Sequence, residues 1–135
     1  MSKIKPYGMP VRFLLPITCA IFWLATFVAT HLPSQHVPMI GIGDKTMHFA
    51  CYFVIATLLL LSLAVFGTGL ARRVTTVLLT MVIYGALDEA SQHFVPGRTP
   101  AIADWLADSL GVIAAIVVLE LALGIRRKLR RSDKA

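Results

Sequence analysis

The chain has 135 residues, 57% of them hydrophobic and only 15% charged, with a mean hydropathy of +0.76 and a formal net charge of +6. A soluble domain needs roughly 25% charged residues to cover its surface, so lipid must be part of this chain's solvent. The basic balance does not indicate nucleic acid, because the lysines and arginines sit in short flanks between apolar runs, where membrane topology requires them.

A helix needs about 20 apolar residues to cross the hydrocarbon core. Four runs qualify, over about 11–32, 46–66, 74–95 and 101–123, followed by a basic tail over 126–135. The first is too long for a signal-peptide core, and Ala20, Ala25 and Ala29 form no cleavage site ahead of further apolar sequence, so it is kept as a span. Pro33 and Pro38 end that span, Gly67 and Gly69 separate the second from the third, and Pro96, Gly97 and Pro100 separate the third from the fourth. No gap holds a soluble domain. The prediction is one all-α transmembrane domain over 1–135, a four-helix bundle. Cys19 and Cys51 lie within apolar runs and read as packing residues without a disulfide. Trp23 and Trp105 read as interfacial or packing aromatics. Gly111, Ala114 and Ala115 offer a face for close helix packing, within the chain or between copies.

The basic residues orient the bundle. Lys3, Lys5, Arg12, Arg72, Arg73 and the six in the tail fall on one side, against Lys45 and Arg98 on the other. The excess of positive charge predicts both termini in the cytoplasm. The tail reads first as this topology determinant and second as a binder of anionic lipid. Asp44, Asp88, Glu89, Asp104, Asp108 and the histidines His31, His36, His48 and His93 then belong to the outer half, with only Glu120 and Asp133 at the inner end.

Several of these residues lie inside the spans. At about 1.5 Å per residue, His48, Asp88, Glu89, Asp104 and Asp108 are roughly 5–10 Å from their helix ends. A charged group facing lipid costs about 2.5–3.5 kcal/mol at the bilayer centre and less towards the interface, so they should face inward. Their spacing permits it: Asp44, His48 and Tyr52 recur every four residues, as do Asp104 and Asp108, and Tyr84, Asp88 and Gln92, with Glu89 and His93 on the adjacent stripe. Three helices can present polar stripes to one outward-opening pocket. Val95-Pro96-Gly97-Arg98 carries a type II turn signal. It would hold Arg98 at the pocket mouth, to meet a carboxylate or phosphate or to pair with Asp104. Five carboxylates face two permanent cations, Lys45 and Arg98. A partly desolvated site does not hold such an excess unaided, so either some carboxyls keep protons or a cation enters.

These same residues carry a resemblance. Asp44-Lys45-Thr46-Met47-His48-Phe49, then Asp88-Glu89-Ala90-Ser91-Gln92-His93-Phe94-Val95-Pro96-Gly97-Arg98, then Asp104-Trp105-Leu106-Ala107-Asp108-Ser109-Leu110-Gly111 resemble, in order, the motifs of the VanZ-like family. The resemblance spans roughly half the chain. It implies a bacterial cytoplasmic-membrane protein of the cell envelope in a family associated with teicoplanin resistance, and it supplies no reaction. The family usually has Asn where this chain has Asp108, which makes this pocket one potential charge more acidic.

Three functions fit. The favoured one is a binding protein whose pocket residues Asp44, Lys45, His48, Glu89, Gln92, Arg98, Asp104 and Asp108 recognise an anionic or hydrogen-bonding envelope ligand, such as a lipid-linked cell-wall precursor or a lipophilic glycopeptide. The alternative is an intramembrane enzyme, with Asp88 or Glu89 as general base, His48 as acid or base and Arg98 stabilising an anionic transition state. Ser91 lacks the flanking glycines of a nucleophile elbow and reads as a hydroxyl bonded to its own helix. The third is metal or proton handling by Glu89, His93, His48 and Asp104. With no HExxH motif in the sequence, the expectation is no bound metal and no cofactor. A purely structural polar network is the remaining reading. Membrane lipids are the expected surroundings, and no nucleic acid is expected as a partner.

Overall fold

Four apolar runs of bilayer length become four helices in the computed structural model, which describes residues 9–33 and 43–133. They are α1 (Met9–Thr30), α2 (Asp44–Val65), α3 (Leu70–Ser91) and α4 (Ile102–Ser132), with one 3-10 turn, Gln92–Phe94, continuing α3. All four are long and apolar enough to cross a membrane, and there is no strand among the described residues. The chain is a multi-pass, all-α membrane protein, as its hydropathy requires. Lys3, Lys5, His36, Pro38 and Lys134 lie outside the described residues.

The predicted breakers act where they stand. Gly67 takes φ +79°. Its N–H bonds to Ala64 O at 3.0 Å, and the Thr68 N–H bonds to Leu63 O at 3.1 Å. That pair of bonds is the Schellman closure, which satisfies the last carbonyls of α2 and favours glycine at the left-handed position. Gly97, at φ +76°, completes the expected turn, with the Arg98 N–H on Val95 O at 3.1 Å. Two boundaries differ from expectation: α3 starts at Leu70, four residues ahead of the predicted 74, and so takes in Arg72 and Arg73. α4 runs to Ser132, through most of the segment read as a tail. No proline interrupts it there, and Leu, Lys and Arg are good helix formers. Its 31 residues span about 46 Å at 1.5 Å each, well beyond a hydrocarbon core of about 30 Å, so its basic end projects from the membrane.

α2 is central, packed most extensively on α4, with α1 against α2 and α3 against both α4 and α2. The core comprises Cys19 of α1, Tyr52, Ile55, Ala56 and Leu60 of α2, Val77 and Met81 of α3, and Val112 and Ala115 of α4. Ile21, Leu24, Leu87 and Leu121 point outward, more than 60% exposed, as residues facing acyl chains should. The small-residue face of α4 is used within the chain: Gly111 lies directly against the backbone of Phe49 and Phe53 on α2. Cys19 and Cys51 are free thiols. Trp23 packs edge-on to Tyr84, and the Trp105 indole N–H donates to Val82 O at 3.1 Å, so both tryptophans tie helices together.

Candidate functional site

The C-terminal ends of α1 and α3 and the N-terminal ends of α2 and α4 meet at one end of the bundle, and the predicted polar stripes converge there. They form two adjoining clusters joined by Gln92.

The first cluster lies between α1 and α3. Buried Asp88 accepts from Thr30 Oγ1 at 3.2 Å and from the Tyr84 hydroxyl at 3.4 Å, while His31 Nδ1 stands 3.8 Å away. His31 Nε2 also lies 2.8 Å from Ser91 Oγ, and that hydroxyl donates to Asp88 O at 2.7 Å. Ser91 is therefore the helix-bonded hydroxyl its sequence context indicated. Thr30 and His31 were not foreseen as partners of Asp88. The signal available was a polar pair just ahead of Pro33, at the depth of the other histidines.

The second cluster joins α2, α3 and α4. His48 Nδ1 lies 3.0 Å from Asp108 Oδ1, and both residues are buried. Glu89 Oε1 accepts the backbone N–H of Ala101, immediately before α4. Lys45 Nζ stands 3.4 Å from Asp104 Oδ1, an ion pair whose geometry makes no hydrogen bond. Asp44 is exposed at the first turn of α2, and a ligand atom from each of Asp44, His48 and Asp104 lies within 4.8 Å of the other two. The same holds for His48, Glu89 and Asp108, all three buried. Gln92 is the hinge between the clusters, its amide nitrogen 3.4 Å from Asp88 Oδ2 and 3.5 Å from Glu89 Oε2.

Two expected members stand apart. Arg98 pairs with no carboxylate among the described residues. Its Nε donates to Leu32 O at 3.2 Å and its terminal nitrogen to Ala29 O at 3.3 Å. The last carbonyls of a helix lack intrahelical donors, and a guanidinium across the bundle supplies them, so Arg98 clamps the end of α1. Of the two readings of Arg98, the pair with Asp104 is not formed; Lys45 stands beside Asp104 instead. His93 is exposed, its ring against Phe94, and turns away from both clusters.

The opposite end of the bundle holds a feature the sequence did not disclose. Arg73, read as loop, is buried in α3 and makes a bidentate pair with Glu120 of α4, Nε to Oε1 at 2.7 Å and a terminal nitrogen to Oε2 at 2.6 Å. Its remaining nitrogen donates to Thr68 O at 3.1 Å.

Four buried polar atoms have no hydrogen-bond partner among the described residues: Asp104 Oδ1, Asp108 Oδ2, the Tyr52 hydroxyl and Ser109 Oγ. A buried polar atom left in this way costs about 1–3 kcal/mol, and such atoms in native proteins call for an explanation.

Fold and polar layer together define a small multi-pass membrane protein built around a buried, acid-rich layer at one end of four helices. The family model VanZ/LLP1 matches residues 16–123, and the chain belongs to that family. No curated protein and no solved structure matches it.

Proposed function

We propose that this protein is a bacterial envelope protein of the cytoplasmic membrane whose polar layer, facing outward, binds the head group of an envelope ligand such as a lipid-linked cell-wall precursor or a lipophilic glycopeptide. The observation that carries the reading is the set of buried polar atoms without hydrogen-bond partners, Asp108 Oδ2 and the Tyr52 and Ser109 hydroxyls above all. With Arg98 clamped on α1 and Lys45 beside Asp104, the side chains favour hydroxyl and amide donors on the ligand over a bare anion. Sugars and peptides of cell-wall intermediates and glycopeptides are rich in such donors. A role in glycopeptide resistance is consistent with this chemistry.

Binding to protein reconstituted in nanodiscs tests the reading. A fluorescent lipophilic glycopeptide and a polyprenyl-linked precursor should each be offered. One of them should bind, and Asp108→Asn or Glu89→Gln should weaken it at least about tenfold, the equivalent of one lost hydrogen bond to a charged group. Binding of neither, or equal binding by wild type and both variants, would sink the proposal. The His48–Asp108 couple favours a second reading, acid–base chemistry, since a carboxylate at Nδ1 orients an imidazole for proton transfer. Conversion of the bound precursor that disappears in His48→Gln would select it.

The outward orientation has its own check. Phosphatase and fluorescent-protein reporters fused after residue 135 should give a cytoplasmic signal, because Arg126, Arg130 and Arg131 follow the last span. A periplasmic signal would place the polar layer on the inner face.

A further inference from the structure

The geometry points to a divalent cation held by His48, Glu89 and Asp108, a first-row metal of the zinc or manganese type. The three side chains come from α2, α3 and α4, are all buried, and each offers a ligand atom within 4.8 Å of the other two. One imidazole and two carboxylates are a nitrogen–oxygen set suited to such ions. Charge favours the same assignment. Two ionised carboxylates beside a neutral imidazole leave two negative charges in a poorly solvated place, and one divalent ion cancels them.

The floor of the triad supplies a separate observation. Tyr52 lies one turn below His48 on α2, and Gly85 one turn below Glu89 on α3. Asp108 Oδ2, on a residue only 1% exposed, has no hydrogen-bond partner there, and neither has the Tyr52 hydroxyl on a residue fully buried. Gly85 keeps this place open: a Cβ on it would come within 3.2 Å of Tyr52 Cε1 and 3.5 Å of Asp108 Oδ2. An ion satisfies the oxygen directly. Lys45 stands beside Asp104 nearer the surface, whereas neither carboxylate of the triad has a lysine or arginine paired with it among the described residues.

The inference deepens the reading of this layer as a binding site and rests on it: with the ion on Asp108, the ligand would meet the ion through an anionic oxygen and the remaining polar groups of the layer through its donors. Its test contains no envelope ligand, so metal uptake and head-group binding can fail separately. Full-length protein without a polyhistidine tag, purified in detergent and stripped with a chelator, is equilibrated with Zn²⁺ or Mn²⁺ alone, desalted and analysed for metal. The wild type should retain one ion per chain for at least one of the two. Asp108→Asn and His48→Gln should bind it at least about tenfold more weakly, as loss of even an outer-shell partner costs 10–100-fold, and the exposed His93→Gln should retain it. Should a variant misfold, Glu89→Gln serves in its place. A wild type that retains neither ion overturns the assignment outright, and so does equal retention by wild type and the triad variants or loss of the ion in His93→Gln.

Discussion

Replacing Glu120 by leucine should lower the unfolding free energy by about 3–5 kcal/mol, the cost of leaving one member of a buried ion pair without its partner. Arg73 is 5% exposed, and both oxygens of Glu120 receive its guanidinium, at 2.7 and 2.6 Å. Without that carboxylate, only the 3.1 Å bond to Thr68 O remains to the guanidinium. The double variant Arg73→Met/Glu120→Leu should recover most of the loss, since apolar replacement of a buried pair is often neutral or stabilising. SDS titration followed by tryptophan fluorescence, on the two single variants and the double, gives the coupling. A single-variant loss below about 1 kcal/mol, the range of surface pairs, would mean that the pair is solvated in the membrane-embedded protein. The distance of this pair from the polar layer makes a second expectation: the double variant should bind the envelope ligand as the wild type does.

That pair also shows where sequence reasoning stopped. Arg73 and Glu120 are 47 residues apart, and nothing local to either announces the other. Arg73 could be read only as one more basic flank, a role that its neighbour Arg72, exposed on the same helix, does fill. The spans themselves were legible because each is a single unbroken hydropathy signal whose ends carry glycine or proline. The polar layer was legible for an equally simple reason: charges are costly against lipid, and four-residue spacing puts them on one face. What spacing cannot supply is the neighbour towards which a face turns. Asp88 and Glu89 are adjacent in sequence, about 100° apart around α3. Asp88 turns to Thr30 and His31 of the first span's end, and Glu89 to the start of α4. Arg98 was misplaced for a related reason. Its expected partners were a ligand carboxylate or phosphate, or Asp104, the chemistry a guanidinium is known for, whereas the oxygens it meets are backbone carbonyls, Ala29 in the last turn of α1 and Leu32 just beyond it. Such a contact follows from a helix terminating nearby in space, and no residue in the turn encodes it.

The second large effect belongs to Gly111. An alanine there should cost about 1–3 kcal/mol, the range for overpacking a well-filled site, and a valine more. The added Cβ would collide with the Phe49 carbonyl and come within 3.1 Å of the Phe53 nitrogen. What it meets is backbone, so no rotamer change relieves the clash and α2 and α4 must move apart. That separation carries a functional consequence. Phe49 follows His48 on α2, and Gly111 lies one turn beyond Asp108 on α4, so the helices that part are those holding the 3.0 Å His48–Asp108 contact. Gly111→Ala should therefore weaken ligand binding as well as stability, without touching a polar side chain. Gly124→Ala is the control on the same helix. Nothing lies within 4 Å of a Cβ there, and replacing a helical glycine by alanine gains up to about 1 kcal/mol, so this variant should be at least as stable as the wild type. If Gly111→Ala were as stable and as competent in binding as Gly124→Ala, α2 and α4 would not be in backbone contact at this level, and the polar layer would not depend on their closeness.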